Sequence, residues 1–318
     1  MSTKNATGQR GGEINWSSMT DDKIVNRFAG VTVWRANGQR APHKPLLILW
    51  SLARLQRGES RLVPYSELDG PFRILLRDFG PSRKSYHPEY PFWHLQSDGL
   101  WVIPERASLD RDLSKRLRQN NPPKSVLIRE HAHGGFPESL ETRLRSDPRL
   151  INRIAQRILD GNFPPSVHED ILDAVGMQWV QVSSTRRPRD PTFRDMILRI
   201  YEHRCAICGW DGILDNTSLA IEAAHIRWHS AGGSDTADNG LCLCTFHHKT
   251  LDRGAIAVSD NYRLQVSQHV RGSRGIDELV LQYIGKTICQ PQIGEPLPSS
   301  TNLRWHRREV FREPARQR

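Results

Sequence analysis

The sequence predicts an α+β fold in two parts: a mainly helical N-terminal domain with a small β-hairpin, and a C-terminal domain whose short strands return to one helix around metal ligands. Three observations carry this. Apolar runs of helical length recur between residues 21 and 176. The stretch LCLCTFHHKTLD, residues 241–252, is dense in cysteine and histidine beyond any need of packing. Between them VSSTRRPRDP (182–191) is polar, basic and proline-containing, the composition of a linker. With 318 residues the chain can bury two separate cores.

The elements follow in order. Residues 1–20 are polar and predict disorder; MSTKNATGQRGGE lacks the apolar centre of a signal peptide. DDKIVNRFAG predicts a helix capped by Thr20 or Asp21. PLLILWSLARLQRG (45–58) is apolar all round, with proline in its first turn and glycine at its end, and predicts a buried helix. PFRILLRDFG (71–80) repeats that pattern. In YPFWHLQSDGLWVI (90–103) two aromatic-rich runs flank Ser97-Asp98-Gly99, a hairpin signal. Helices are predicted again over 147–161 and 166–176, closing a first domain at 21–181. After the linker, TFRDMILRIYEHR predicts a helix leading into a second domain, 192–290. The tail, 291–318, is rich in arginine and reads equally as a basic helix lying on phosphates or as a solvated extension.

A net charge of +10 favours a polyanionic partner, nucleic acid before an acidic membrane surface. No apolar run approaches membrane-spanning length. Of five cysteines, three sit in a metal-like pattern, which argues for a reducing, cytoplasmic setting over a disulfide scaffold.

Cys205-Ala-Ile-Cys208 spaces two thiolates to reach one tetrahedral ion, and Cys244-Thr-Phe-His247 repeats the spacing. Together they predict a structural Cys₃His zinc site. Cys242 competes with Cys244, because alternate residues of a strand share a face; Cys244 is preferred because it forms the second knuckle. On a helix beginning near Phe246, His247 and His248 project about 100° apart. His247 then faces the zinc while His248 faces elsewhere. Asp252 falls four residues after His248 on the same helical face, and such a pair can hold a second, more open metal site. Upstream, IEAAHIRWHSAGGSDTADNGLCLC reads as a strand ending at His225, a glycine-rich loop, and Asn239 opening another strand. Two antiparallel strands returning to a helix bring His225, Asn239 and His248 together.

The series C-x-x-C, EAAHI, DNGL-x-L-C and HH-x-x-LD-x-G resembles the HNH nucleases of ββα-metal fold. The resemblance implies metal-assisted phosphodiester hydrolysis. His225 is then the general base, suited by an ordinary imidazole pKa of about 6.5. A divalent ion such as Mg²⁺ or Mn²⁺ is held by His248 and Asp252, and Asn239 orients the His225 ring or its loop. Many such sites carry aspartate or histidine immediately before the base; here that position is Ala224. Either water fills the gap or Glu222 reaches in.

In the first domain, RAPHKPLLILWSLARL (40–55), HPEYPFW within 79–103 and HGGFPESLETRL (133–144) resemble the sulfur-binding domain of phosphorothioation-dependent, McrA-like restriction endonucleases. By that resemblance Tyr90 and Pro91 line a shallow apolar pocket for the sulfur, and His43 and Lys44 stand beside the phosphate. Arg40, Arg83 and Lys84 are further DNA contacts. Sulfur is larger, softer and less hydrated than the oxygen it replaces. Burying one methylene-sized group is worth only about 0.8 kcal/mol, too little against a genome of competing sites. Base contacts near Ser82, Arg83 or Lys84 must supplement it.

The leading reading is therefore an endonuclease that binds double-stranded DNA carrying phosphorothioate linkages and cuts nearby. One site per chain cuts one strand at a time, so a double-strand break needs a homodimer or two visits. One alternative is an HNH nuclease directed to another modification, such as a methylated base, which would call for a deeper aromatic cage. The other is a zinc-stabilised DNA-binding protein without catalysis.

Overall fold

The computed structural model describes residues 14–32, 41–114, 121–178 and 191–317. The interdomain linker through residue 190, Arg40 and the first thirteen residues lie outside them.

Among the described residues the N-terminal region contains nine α-helices: α1 (Asp21–Ala29), α2 (His43–Gln56), α3 (Tyr65–Phe79), α4 (Glu89–His94), α5 (Arg106–Ser114), α6 (Lys124–Arg129), α7 (Glu138–Ser146), α8 (Pro148–Asn162) and α9 (His168–Val175). Helix α2 is the core: Leu46, Leu47, Ile48, Leu49 and Leu52 are all fully buried, as its all-round apolar sequence requires. Helix α8 is amphipathic instead. Asp147 caps it by accepting from the amides of Arg149 and Leu150, Pro148 occupies its first turn, and Leu150, Ile151, Ile154, Ile158 and Leu159 turn inward.

The aromatic segment predicted as a hairpin is helical. The EYPFW part of HPEYPFW lies in α4, with Pro88 just before it, and a 3₁₀ turn, Leu95–Asp98, closes at Gly99 in the left-handed region (φ 74°). Pro91 sits in the first turn of α4, where its missing N–H costs nothing. From there Phe92 packs edge-on against Tyr65 and Trp101. The small sheet of this domain lies elsewhere: β1 (Val63–Pro64) pairs antiparallel with β2 (His133–Gly134).

The C-terminal region begins with α10 (Pro191–Ile200) and the short pair β3 (Ile213–Leu214) and β4 (Thr217–Ser218). Strands β5 (Ile221–His225) and β6 (Gly240–Cys244) pair antiparallel and run directly into α11 (Thr245–Asp252), the predicted strand–strand–helix unit. Strands β7 (Ile256–Val258) and β8 (Leu264–Val266), α12 (Ile276–Leu279) and α13 (Ser300–Glu309) follow.

Within the C-terminal tail, α13 and the residues after it pack on the rest of the protein. Helix α13 buries Leu303, Trp305, His306 and Glu309. His306 Nε2 donates to the carbonyl of Leu251 on α11 (3.0 Å). Glu309 accepts from Arg83 across the domain boundary (3.2 Å), and the Arg312 guanidinium donates to the carbonyls of Arg77 and Asp78 at the end of α3. Trp228, Trp305 and Val310 join the hydrophobic core of the N-terminal domain, so the two parts share a packed junction.

Candidate active site and DNA-reading surface

The β5–β6 register sets the geometry. His225 lies opposite Gly240 and Ile221 opposite Cys244, so the last residue of β6 delivers a thiolate just as α11 begins. A Cβ at Gly240 would come within 2.2 Å of the Ile197 side chain, which explains the glycine of DNGL: α10 packs directly on it.

Cys205, Cys208, Cys244 and His247 gather their donor atoms within 4.8 Å of one another. Cys244 Sγ is 3.2 Å and Cys205 Sγ 3.6 Å from His247 Nδ1, and Cys208 Sγ is 4.0 Å from Cys244 Sγ. A tetrahedral zinc with these donors has ligand–ligand edges of about 3.5–3.8 Å, so the cluster fits such an ion. His247 Nε2 donates to the carbonyl of Leu279 (2.9 Å), which leaves Nδ1 as the free lone pair facing the thiols. Hydrogen bonds from Cys208 and Cys244 hold the Cys205 thiol below its ordinary pKa, while those with Cys205 and Cys208 push the Cys244 thiol up. Cys242 is different: burial pushes its pKa up to about 12, as befits a neutral core thiol.

His248 turns away from this cluster. Its Nδ1 meets Glu222 Oε2 at 2.6 Å, and its Nε2 faces Asp252 Oδ2 at 3.2 Å. Burial alone would lower its pKa, but Asp252 and Glu222 outweigh burial and raise it to about 9. Glu222 shares a strand face with Ala224, and it binds the far nitrogen of His248, orienting the ring from behind. Asp252 is buried, and its charge is favoured by His248 and Ser166 against the cost of burial. Its Oδ1 accepts from Trp228 Nε1 at 3.0 Å.

Asn239 is fully buried. Its Oδ1 accepts from the amide of Arg227 (2.8 Å), and its Nδ2 donates to the carbonyls of Arg227 (3.0 Å) and Ser234 (2.8 Å). It therefore clamps the loop between the strands, the loop alternative of the two roles. His225 is partly exposed and stacks on Phe193 of α10, with centroids 4.0 Å and planes 13° apart. Its Nε2 lies 2.7 Å from Asp235 Oδ1. Sequence reasoning missed Asp235, since nothing in the loop AGGSD separates a partner of histidine from an ordinary turn residue; it missed Phe193 and Trp228 for the same lack of a signal.

On the N-terminal domain, His43 and Lys44 open α2, which packs against α4 carrying Tyr90 and Pro91. Tyr90 is 46% exposed and stacks on His87 (4.7 Å, 11°). Pro91 is buried behind it. Lys44 Nζ pairs with Asp98 (2.6 Å). At the end of α4, burial, then Lys44 and Arg106, hold the pKa of His94 below its ordinary value, so this surface keeps a neutral imidazole among its cations. Lys84 is exposed, whereas Arg83 is engaged by Glu309 and by the carbonyls of Ser82 and Arg308.

A strand–strand–helix unit with a Cys₃His cluster and a second histidine–carboxylate pair, set against a helical domain, defines a modular nuclease. Comparison with known proteins gives both modules. The family model for the ScoMcrA-like DNA sulfur-binding domain matches residues 21–179, half of the chain, and the HNH endonuclease model matches residues 205–259. The chain belongs to the ScoMcrA-like DNA sulfur-binding-domain family, and joins that domain to a metal-dependent HNH endonuclease. It is similar to the sulfur-binding domain of ScoMcrA complexed with phosphorothioated DNA (23% identity, 48% of this chain and 95% of that one, TM-score 0.42). It is also similar to the corresponding domain of SprMcrA (20%, 51% and 96%, TM-score 0.41). A structure of the type IV phosphorothioation-dependent restriction endonuclease ScoMcrA matches at 22% identity over 54% of this chain and 33% of that one (TM-score 0.39). No curated protein matches. Among the described residues no helix is long and apolar enough to cross a membrane.

Proposed function

We propose that this protein recognises phosphorothioate-modified double-stranded DNA with its N-terminal domain and hydrolyses nearby phosphodiester bonds by a one-metal HNH mechanism. The observation that carries the reading is the division of labour on α11, where His247 turns to the thiols and His248 to Asp252.

Cys205, Cys208, Cys244 and His247 would hold a zinc ion that ties the β5–β6–α11 frame together. His248 and Asp252 would hold the catalytic divalent ion, Mg²⁺ or Mn²⁺, and to do so His248 Nε2 would have to give up its proton. When bound, that ion supplies charge stabilisation to the phosphate and the leaving oxygen. With Nε2–H donated to Asp235, His225 presents Nδ1 to take a proton from the attacking water. Asp235 fixes the tautomer and steadies the cation that forms; Phe193 keeps the ring plane; Asn239 fixes the loop that carries Asp235.

Tyr90 offers the exposed apolar face for sulfur, over Pro91, with His43 and Lys44 near the phosphate. For Lys44 to bind phosphate it must exchange Asp98 for it, and Arg83 must likewise leave Glu309. A homodimer, or two successive visits, is needed to break both strands.

The test is cleavage of two duplexes identical except for one sulfur-modified linkage, each with Mn²⁺ or Mg²⁺. Cutting confined to the modified duplex is expected. Equal cutting of both would remove the sulfur-directed reading and leave the nuclease.

A further inference from the structure

Asp252 is held partly by the other domain. Of its two carboxylate oxygens, Oδ1 accepts from the Trp228 indole, while Oδ2 faces His248 Nε2 and also accepts from the hydroxyl of Ser166. Ser166 lies in the 3₁₀ turn Pro165–Val167 that leads into α9, within the part of the chain that matches the sulfur-binding domain and outside the HNH match. The turn packs on α11. Around it Lys249 and Arg253 reach Asp170 of α9 at 3.2 and 3.7 Å, and Arg253 covers the Phe79 ring at 4.6 Å. One face of α11 thus meets the reading domain, and its last residue, Asp252, takes a hydrogen bond there.

We propose that Ser166 is a positioning residue for the nuclease site: its hydroxyl fixes Asp252 Oδ2 toward His248 Nε2, so that the DNA-reading domain completes the ligand pair of the nuclease. This rests on the reading of His248 and Asp252 as holders of the catalytic ion. A carboxylate anchored at one oxygen can still swing the other about its side-chain torsion. Anchoring both fixes the plane, and a buried oxygen deprived of a donor is costly to keep ionised. Docking does not depend on this hydroxyl, because the Asp170 ion pairs and the apolar contacts of Val167 and Trp228 remain without it. Partners of this kind typically change metal affinity or activity by about 10- to 100-fold when removed.

The experiment compares full-length wild type, Ser166→Ala, Ser166→Cys, Ser166→Thr and Asp252→Asn. Mn²⁺ affinity is measured by titration calorimetry with the zinc in place, single-turnover cleavage is followed at limiting Mn²⁺, and binding of the modified duplex is measured without divalent ion. Ser166→Ala is expected to weaken Mn²⁺ binding about 10- to 100-fold and slow cutting at limiting Mn²⁺, with duplex affinity unchanged. Ser166→Thr restores both, and Ser166→Cys, a weaker donor, falls between. Wild-type Mn²⁺ affinity and rate in folded Ser166→Ala would overturn the proposal, as would absence of the graded order in Ser166→Cys and Ser166→Thr should the alanine variant not fold. Asp252→Asn separates the causes. If it abolishes Mn²⁺ binding while the Ser166 variants do nothing, only the coupling fails; if it too is silent, the assignment of Asp252 fails.

Discussion

The two domains place their functional side chains in opposite circumstances. In the nuclease domain the groups around the partly exposed His225 are buried and held by fixed partners: His247 by thiols, His248 by Glu222 and Asp252, Asn239 by three backbone groups. In the reading domain Tyr90 and Lys84 are exposed, and the partly covered cations already have protein carboxylates as partners, Lys44 with Asp98 and Arg83 with Glu309. Metal and proton chemistry needs fixed distances, and burial supplies them. DNA binding needs groups that can exchange one anion for another, and an incoming phosphate would replace the carboxylate as acceptor of the same charge-assisted hydrogen bonds.

The contrast can be broken most severely at the zinc. Cys208→Ser, or chelation, is expected to unfold the nuclease domain and abolish cleavage, since structural zinc sites contribute folding energy outright. The N-terminal domain has its own core around α2 and should go on binding modified DNA. Parallel cleavage and gel-shift assays check both halves. Next in size, His225→Ala should slow single-turnover cutting by about 10²- to 10⁴-fold, and Asp235→Asn by a smaller factor, because it keeps a hydrogen-bonding partner for the ring. On the reading side effects are smaller. Lys44→Met should weaken modified and plain duplexes alike and reduce the salt slope of log K by about 0.9, read from binding at several salt concentrations. Tyr90→Ala should lower the preference for modified over plain duplex by roughly fourfold, the worth of one methylene-sized contact, measured by competition.

The same contrast decides what was legible in the sequence. Two C-x-x-C/H spacings, adjacent histidines and an aspartate four residues on fix residue types at fixed intervals, and the β5–β6–α11 unit follows because only that path brings them together. Ser166 and Trp228 were invisible, since they reach Asp252 from other elements, Ser166 from the far domain, and carry no motif. In the reading domain the spacing signal misled. The aromatic runs around Ser97-Asp98-Gly99 have strand-like composition, yet two prolines bracket a helical turn, and Phe92 reaches Tyr65 and Trp101 from a helix. The arginines of the tail suggested phosphate binding, but composition cannot reveal that Glu309 and the carbonyls at the end of α3 are nearer partners. Cation counts predict affinity for DNA; which cations are free to bind it is a property of the fold.

The central claim is that recognition belongs to one domain and chemistry to the other. The most direct test is the equilibrium preference of full-length His225→Ala for a sulfur-modified duplex over its unmodified twin, measured beside wild type without divalent ion at one salt concentration. The account predicts the same preference for both proteins, although the variant cuts the modified duplex far more slowly when Mn²⁺ is added. A preference lost together with cutting would contradict it, and would make the nuclease site part of the sulfur reader.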